Sequence, residues 1–419
     1  MPTIDRTLSN GIRLVMEPIA ASNSAAIGFW FPIGSRDEPD GYHGVTHFLE
    51  HLIFKGTSSR TSREIALFFD RVGGYINAFT ERELMCIMCV VPANIVVEAT
   101  EIIGEMVYSS LLDSVDIETE RSVILSEIFA VYDDPDESGM ERALELMYQK
   151  HAVSLPITGT IDEIRRLKAE TIRSWYHKVI TTVPPLVTVA GKFDYSAIEQ
   201  KIAALRLSIS FENNLIEANN PVMTPGFQTR WSPFSQSQLY LSWPVKNLRT
   251  SEHWYTWAII NAIAGDTVSS RLFQQLREKD GLCYSVYSFY VFNRDSALWT
   301  SCLTTPAEKT TKAIDQLVKE LDKIVYNGFT EQEILDAKSH IVGEISLSAD
   351  DTEYRMKRIA RQILFNGSTV DVDKVESIIN KIDSQMIQNC VFETFTKAMQ
   401  SLVVYGPKRA VKGAKKAWK

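Results

Sequence analysis

The chain has 419 residues, 45% hydrophobic and 23% charged, with a formal net charge of −8; that length exceeds what one hydrophobic core usually supports, so two domains are expected. The acidic balance argues against nucleic acid as the main partner, and no run nears the roughly 20 apolar residues of a membrane span. The start Met1-Pro2-Thr3-Ile4-Asp5-Arg6 lacks the apolar stretch of a secretory signal and the five cysteines are scattered, so a cytoplasmic, reducing location is expected.

Along the chain, Asn10-Gly11 reads as a hairpin turn into the strand Ile12–Val15, and Ala25–Phe31 as a second, apolar strand. Helical sequence follows from Val45 to Phe54 and contains His47-Phe48-Leu49-Glu50-His51. At 3.6 residues per turn, imidazoles four apart share a face and can point at one ion. Glu50 falls at the margin of that face, better placed to reach a metal-bound water than to ligate. This is the inverted zinc signature H-x-x-E-H, whose glutamate serves as general base. His43 shares the face but falls before or within the first turn, and is not expected to ligate. A strand pair from Tyr75 to Val91 comes next, where Asn77 and Ala78 fit an edge that pairs with extended substrate. Within it, Cys86 and Cys89 are three apart in an apolar strand and face opposite sides, which argues against a redox or metal role.

Ile95, Val96, Ala99, Ile102, Ile103 and Met106 form the stripe of a long amphipathic helix. Zinc in a catalytic site usually takes three protein ligands, so a third is owed. The segment Glu118–Ile128 offers Glu120 and Glu127, seven apart and nearly on one face. One can ligate while the other hydrogen-bonds a ligand or the water, and spacing alone does not say which. Leu186–Gly191 closes the half on a strand.

The same order then recurs. After a Pro/Asn-rich linker come the strand Gln238–Trp243, helices over His253–Ala264 and Ser270–Glu278, and a strand pair from Tyr284 to Leu303. A helix striped by Ile314, Leu317, Leu321 and Ile324 and the strand Leu402–Gly406 complete the copy. The basic tail from Lys408 to Lys419 reads as a frayed terminus. The expected architecture is α+β, with two similar domains, 1–208 and 233–419, joined by a linker at 209–232. Each is a mainly antiparallel sheet with helices on one face. The second half has no H-x-x-E-H, so one metal site per chain is expected.

His43-Gly44-Val45-Thr46-His47-Phe48-Leu49-Glu50-His51-Leu52-Ile53-Phe54-Lys55-Gly56-Thr57 resembles the zinc helix of the pitrilysin-type (inverzincin) metallopeptidases. Gly73–Thr80 is similar to that family's substrate-binding edge strand, and Val123–Ile128 to the segment carrying its third zinc ligand. Pro156–Thr160, Ser269–Phe273 and Leu276–Ser285 resemble further recurrent stretches. The resemblance is to the half-length branch, that of bacterial processing-peptidase-like proteases and the mitochondrial processing peptidase beta subunit.

It implies one Zn2+ per chain on His47, His51 and Glu127, with Glu120 as supporting carboxylate and Glu50 as catalytic base. It also implies that Arg277 and Tyr284, otherwise a surface charge and an edge residue, reach the substrate and stabilise its oxyanion. A homodimer completing each active site in trans, around a chamber for short unfolded peptides, is the implied assembly. The stretch Ala264–Val268 departs from the glycine-rich pattern of the family's noncatalytic subunit, which speaks against presequence processing. The rival reading is a noncatalytic or zinc-supplying subunit of a heteromeric peptidase or structural complex.

Overall fold

The computed structural model describes residues 3–149, 151–182, 184–205 and 220–418. The first sheet is built from β1 (Ile4–Thr7), β2 (Arg13–Pro18), β3 (Ser24–Phe31), β4 (Tyr75–Thr80), β5 (Met85–Pro92) and β6 (Leu186–Gly191). Its order is β1-β2-β6-β3-β5-β4, antiparallel except where β2 runs parallel to β6. The second sheet comprises β7 (Gly226–Trp231), β8 (Gln236–Pro244), β9 (Ser285–Phe292), β10 (Ala297–Pro306) and β11 (Ser401–Gly406). Its order is β7-β11-β8-β10-β9, again antiparallel except for β7 beside β11. Strand for strand, β2-β6-β3-β5-β4 and β7-β11-β8-β10-β9 are the same arrangement. The α+β plan of two similar, mainly antiparallel domains is therefore the observed one.

The linker expected at 209–232 differs in part. Residues 206–219 lie outside the described residues, but Gly226–Trp231 is strand β7, the counterpart of β2. It escapes sequence reading because Gln228, Thr229 and Arg230 give an edge strand with no apolar alternation. The tail differs as well: Lys408–Ala417 is a helix seated by buried Ala410 and Ala414, four apart on its small-residue face.

Two compact units emerge, and they do not follow the halves of the sequence. The first takes the described residues within Met1–Ala130, Leu155–Ala218 and Ser346–Asp371. The second takes those within Val131–Ser154, Asn219–Ile345 and Val372–Lys419. Each sheet thereby gains a helix from the other half of the chain. The expected covering of one face by helices is not what the first unit shows: both faces of its sheet are covered, so β3 is buried from Ala25 to Phe31 without alternation. One face meets the helix Val96–Tyr108. On the other, Ala26, Trp30, Cys86 and Met88 pack with Met356, Ile359, Ala360 and Ile363 of the helix Thr352–Asn366.

Gly28 permits that approach: a Cβ there would lie 2.8 Å from Met356 Sδ. Buried Glu17 pairs with Arg355 and, at 3.2 Å, with Arg358, so the incoming helix meets its charge partner as it docks. In the second unit the helix Pro135–Tyr148 plays the matching part, with Ala143, Met147 and Tyr148 against Tyr240, Leu298, Cys302 and Val403. Truncating one such buried side chain costs about 2–5 kcal/mol. Both borrowed helices are therefore integral to the units they cover. Among the described residues no helix is long and apolar enough to cross a membrane.

Candidate metal centre

The helix Val45–Ile53 buries Val45, Phe48, Leu49, Leu52 and Ile53, the i, i+3, i+4, i+7, i+8 set of one apolar face. Burial of that face fixes the rotation of the helix, and His47, Glu50 and His51 project from the remainder. Its N-terminus is held by a residue outside it. Gly44 is in the left-handed region (φ 90°), which only glycine enters freely, and has no side chain to cap the helix. Glu38 supplies the cap, accepting from the Gly44 and Thr46 amides at 2.7 Å each. Burial pushes the Glu38 carboxyl up to about 8, against those hydrogen bonds. Trp175 Nε1 donates to Thr46 Oγ1 at 3.0 Å from behind.

His47 and His51 lie with ring centroids 4.7 Å apart. Glu127, on the helix Ser114–Asp133, places Oε2 3.7 Å from His47 Nε2 and 3.5 Å from His51 Nε2. One donor atom from each of the three lies within 4.8 Å of the others. Two imidazole nitrogens and one carboxylate oxygen are the donor set of an open catalytic zinc site. Burial, reinforced by His51, lowers the His47 pKa to about 4, so its ring is neutral and able to ligate at neutral pH.

Glu120 takes another part. Its Oε2 lies 2.9 Å from His51 Nδ1, leaving Nε2 of that ring turned to the other donors, and Lys55 Nζ reaches its Oε1 at 2.5 Å. Burial raises the Glu120 carboxyl, but the Lys55 and His51 hydrogen bonds outweigh it and hold the group ionised. The residues present thus fit a divalent zinc ion, with a negative outer partner behind one histidine.

Glu50 Oε2 accepts from Thr80 Oγ1 of β4 at 2.6 Å, with the charges of His51 and Glu127 close enough to act on its carboxylate. Burial raises its pKa, partly opposed by the Thr80 hydrogen bond and by His51. Asn77 and Ala78 lie mid-strand in β4, the edge of the first sheet, paired on one side only with β5. Asn77 is exposed and Ala78 buried. His43 stands outside the helix, buried, with Nδ1 3.8 Å from Glu38, and is not in the donor group. Cys86 and Cys89 are fully buried in β5.

In the second unit, Arg277 lies in the π-helical stretch Phe273–Lys279 and Tyr284 immediately precedes β9. The guanidinium stacks over both Phe273 (4.7 Å) and Tyr284 (5.8 Å), and Tyr284 is 75% exposed. Arg271, in the same recurrent segment, is an anchor: it donates to Glu333 at 2.6 Å and to the Gly328 carbonyl at 3.0 Å. Burial tends to raise the Glu333 carboxyl, but Arg271 and Thr330 bring it down to about 2.

A carboxyl with a depressed pKa contributes stability above its unfolded value and loses it on protonation. Glu333→Gln is therefore expected to lower Tm at neutral pH, with the gap to wild type closing below about pH 4.5. A gap independent of pH in a thermal-denaturation series counts against this.

Sequence reasoning missed Glu38, Lys55, Thr80 and Arg121. Arg121 packs its guanidinium 5.5 Å from the Phe48 ring and donates to the carbonyls of Ile164 and Leu167, pinning the two metal-site helices together. Lys55 was within reach of pattern reading, four residues after His51. The others act across the fold and leave no local signal.

Residues 13–161 match the family described as Insulinase (Peptidase family M16), and residues 166–341 match Peptidase M16 inactive domain. An uncharacterized zinc protease, YmxG, of Bacillus subtilis is 30% identical over 93% of this chain and 95% of its own. Another from Streptomyces coelicolor is 31% identical over 96% of this chain and 89% of its own. The crystal structure of a peptidase M16 inactive domain from Pseudomonas fluorescens covers 97% of this chain and 99% of its own, with TM-score 0.88 at 15% identity.

Proposed function

Because this chain belongs to the insulinase family of peptidases, family M16, we propose that it is a zinc-dependent endopeptidase acting on short unfolded peptides. The observation that carries this reading is the convergence of His47, His51 and Glu127, with Glu50 one residue before His51 on the same helix. Those three would hold one Zn2+ per chain, and Glu120 would keep His51 oriented toward it. Bound zinc lowers the pKa of water and polarises a peptide carbonyl. Glu50 takes the proton from the attacking water and returns it to the leaving nitrogen. Asn77 and Ala78 hold the extended peptide along β4 through backbone hydrogen bonds, which suits a sequence-tolerant enzyme.

Arg277 and Tyr284 stabilise the developing oxyanion, and we infer that a homodimer supplies them to the partner's site in trans. The half 1–208 is then the catalytic one, and 233–419 carries the Arg/Tyr motif. The acidic net charge favours basic peptides, and the cytoplasm is the proposed location. Against a noncatalytic role stands the full set His47, Glu50, His51 and Glu127. The test is hydrolysis of a quenched, unstructured peptide by the zinc-loaded protein, before and after chelation and zinc restoration, with its mass measured in the same buffer. Zinc-restored cleavage by a dimer is expected. Zinc-loaded protein without cleavage overturns the peptidase reading, and a fully active monomer overturns completion in trans.

A further inference from the structure

We propose that Thr80 is the positioning residue for Glu50, so that the strand offered to the substrate also aims the base; this rests on the peptidase reading above. Glu50 lies on the helix one residue before His51. The partner is 30 residues along the chain: the Thr80 hydroxyl donates to Glu50 Oε2 at 2.6 Å. With Oε2 taken by the hydroxyl, Oε1 is left to receive the proton of the attacking water.

The location of the donor gives the contact its meaning. Thr80 is the last residue of β4, opposite Met85 of β5, on the strand whose outer edge is unpaired among the described strands. Asn77 and Ala78, the residues placed to pair with peptide, precede it by three and two positions. Thr80 and Ala78 are two apart and share a face of the pleat, and from that face the Thr80 hydroxyl reaches the zinc helix at Glu50. One short strand therefore holds substrate backbone along its edge and the base at its end. Proton transfer falls off quickly once donor and acceptor leave hydrogen-bond reach, so a swing of the carboxylate toward another polar neighbour removes the base while leaving substrate binding intact.

The experiment compares zinc-loaded wild type, Thr80→Val and Thr80→Ser in peptide hydrolysis, and determines the crystal structure of zinc-loaded Thr80→Val. Valine keeps the shape and removes the donor; serine restores it. Thr80→Val is expected to lose about 10–100-fold in kcat, part of what a general base supplies. KM is expected to stay within about twofold, because backbone pairing along β4 is untouched. Thr80→Ser is expected to recover most of the lost kcat, and the valine structure to show the Glu50 carboxylate turned away. A valine variant with wild-type kcat, a change in KM alone, or a serine variant as slow as valine overturns the inference while leaving the peptidase reading standing. An inactive wild type whose valine variant still shows a displaced Glu50 carboxylate overturns the peptidase reading but not the hold of Thr80 on Glu50. An undisplaced carboxylate in the valine structure overturns that hold.

Discussion

Glu50→Gln is expected to bind zinc as the wild type does and to hydrolyse peptide about 10²–10⁴-fold more slowly, the range a positioned general base supplies. The side chains are nearly isosteric, and the amide oxygen of glutamine can still accept from Thr80 Oγ1, so packing around β4 is preserved. What disappears is proton affinity. Burial raises the Glu50 pKa, more than the Thr80 hydrogen bond and His51 restrain it. A base moved toward the working pH is a better acceptor in the transition state than an ordinary surface glutamate. The three donor atoms are elsewhere, on His47, His51 and Glu127, so metal content should not change. Kinetics at matched zinc content measure this, and an inactive variant that has also lost its zinc would shift the explanation from proton transfer to metal binding. Strong residual activity in a pure sample would remove Glu50 from the base role altogether.

The parts of this site that were legible in the sequence are those with a local period. His47 and His51 are one helical turn apart, and Phe48, Leu49 and Leu52 form the apolar stripe that turns them outward. Glu120 and Glu127 are two turns apart, but their different parts come from tertiary position: Glu120 is buried against His51 and Lys55, Glu127 half-exposed opposite both imidazoles. Thr80, Glu38 and Arg121 are polar residues at strand ends and in loops or on charged helices, and nothing in their neighbourhoods announces a partner far along the chain. The helix exchange was hidden for a related reason. Met356, Ile359, Ala360 and Ile363 make a clear stripe, and a stripe states that a face is buried without stating which sheet buries it.

Glu127→Ala and Glu120→Gln separate the metal ligand from its support by the size of their effects. Glu127 carries the only carboxylate oxygen in the group, and without it two imidazoles remain, too few for a catalytic zinc site. Its side chain is 44% exposed, so its removal leaves no large cavity, and the metal-free variant should melt close to the metal-free wild type. Zinc should be lost on dialysis, and hydrolysis with it. Glu120→Gln keeps an oxygen facing His51 Nδ1 but loses the charge that Lys55 and His51 share. Loss of such an outer partner costs about 10–100-fold in metal affinity or activity, so this variant should bind zinc more weakly and regain activity when zinc is raised. Competition with a chromophoric chelator, alongside the zinc dependence of hydrolysis, reads both effects. If Glu120→Gln loses zinc outright while Glu127→Ala retains it, the parts of the two glutamates are reversed. If both hold zinc as wild type does, the ion is bound elsewhere and the donor group built from His47, His51 and Glu127 is not the metal site.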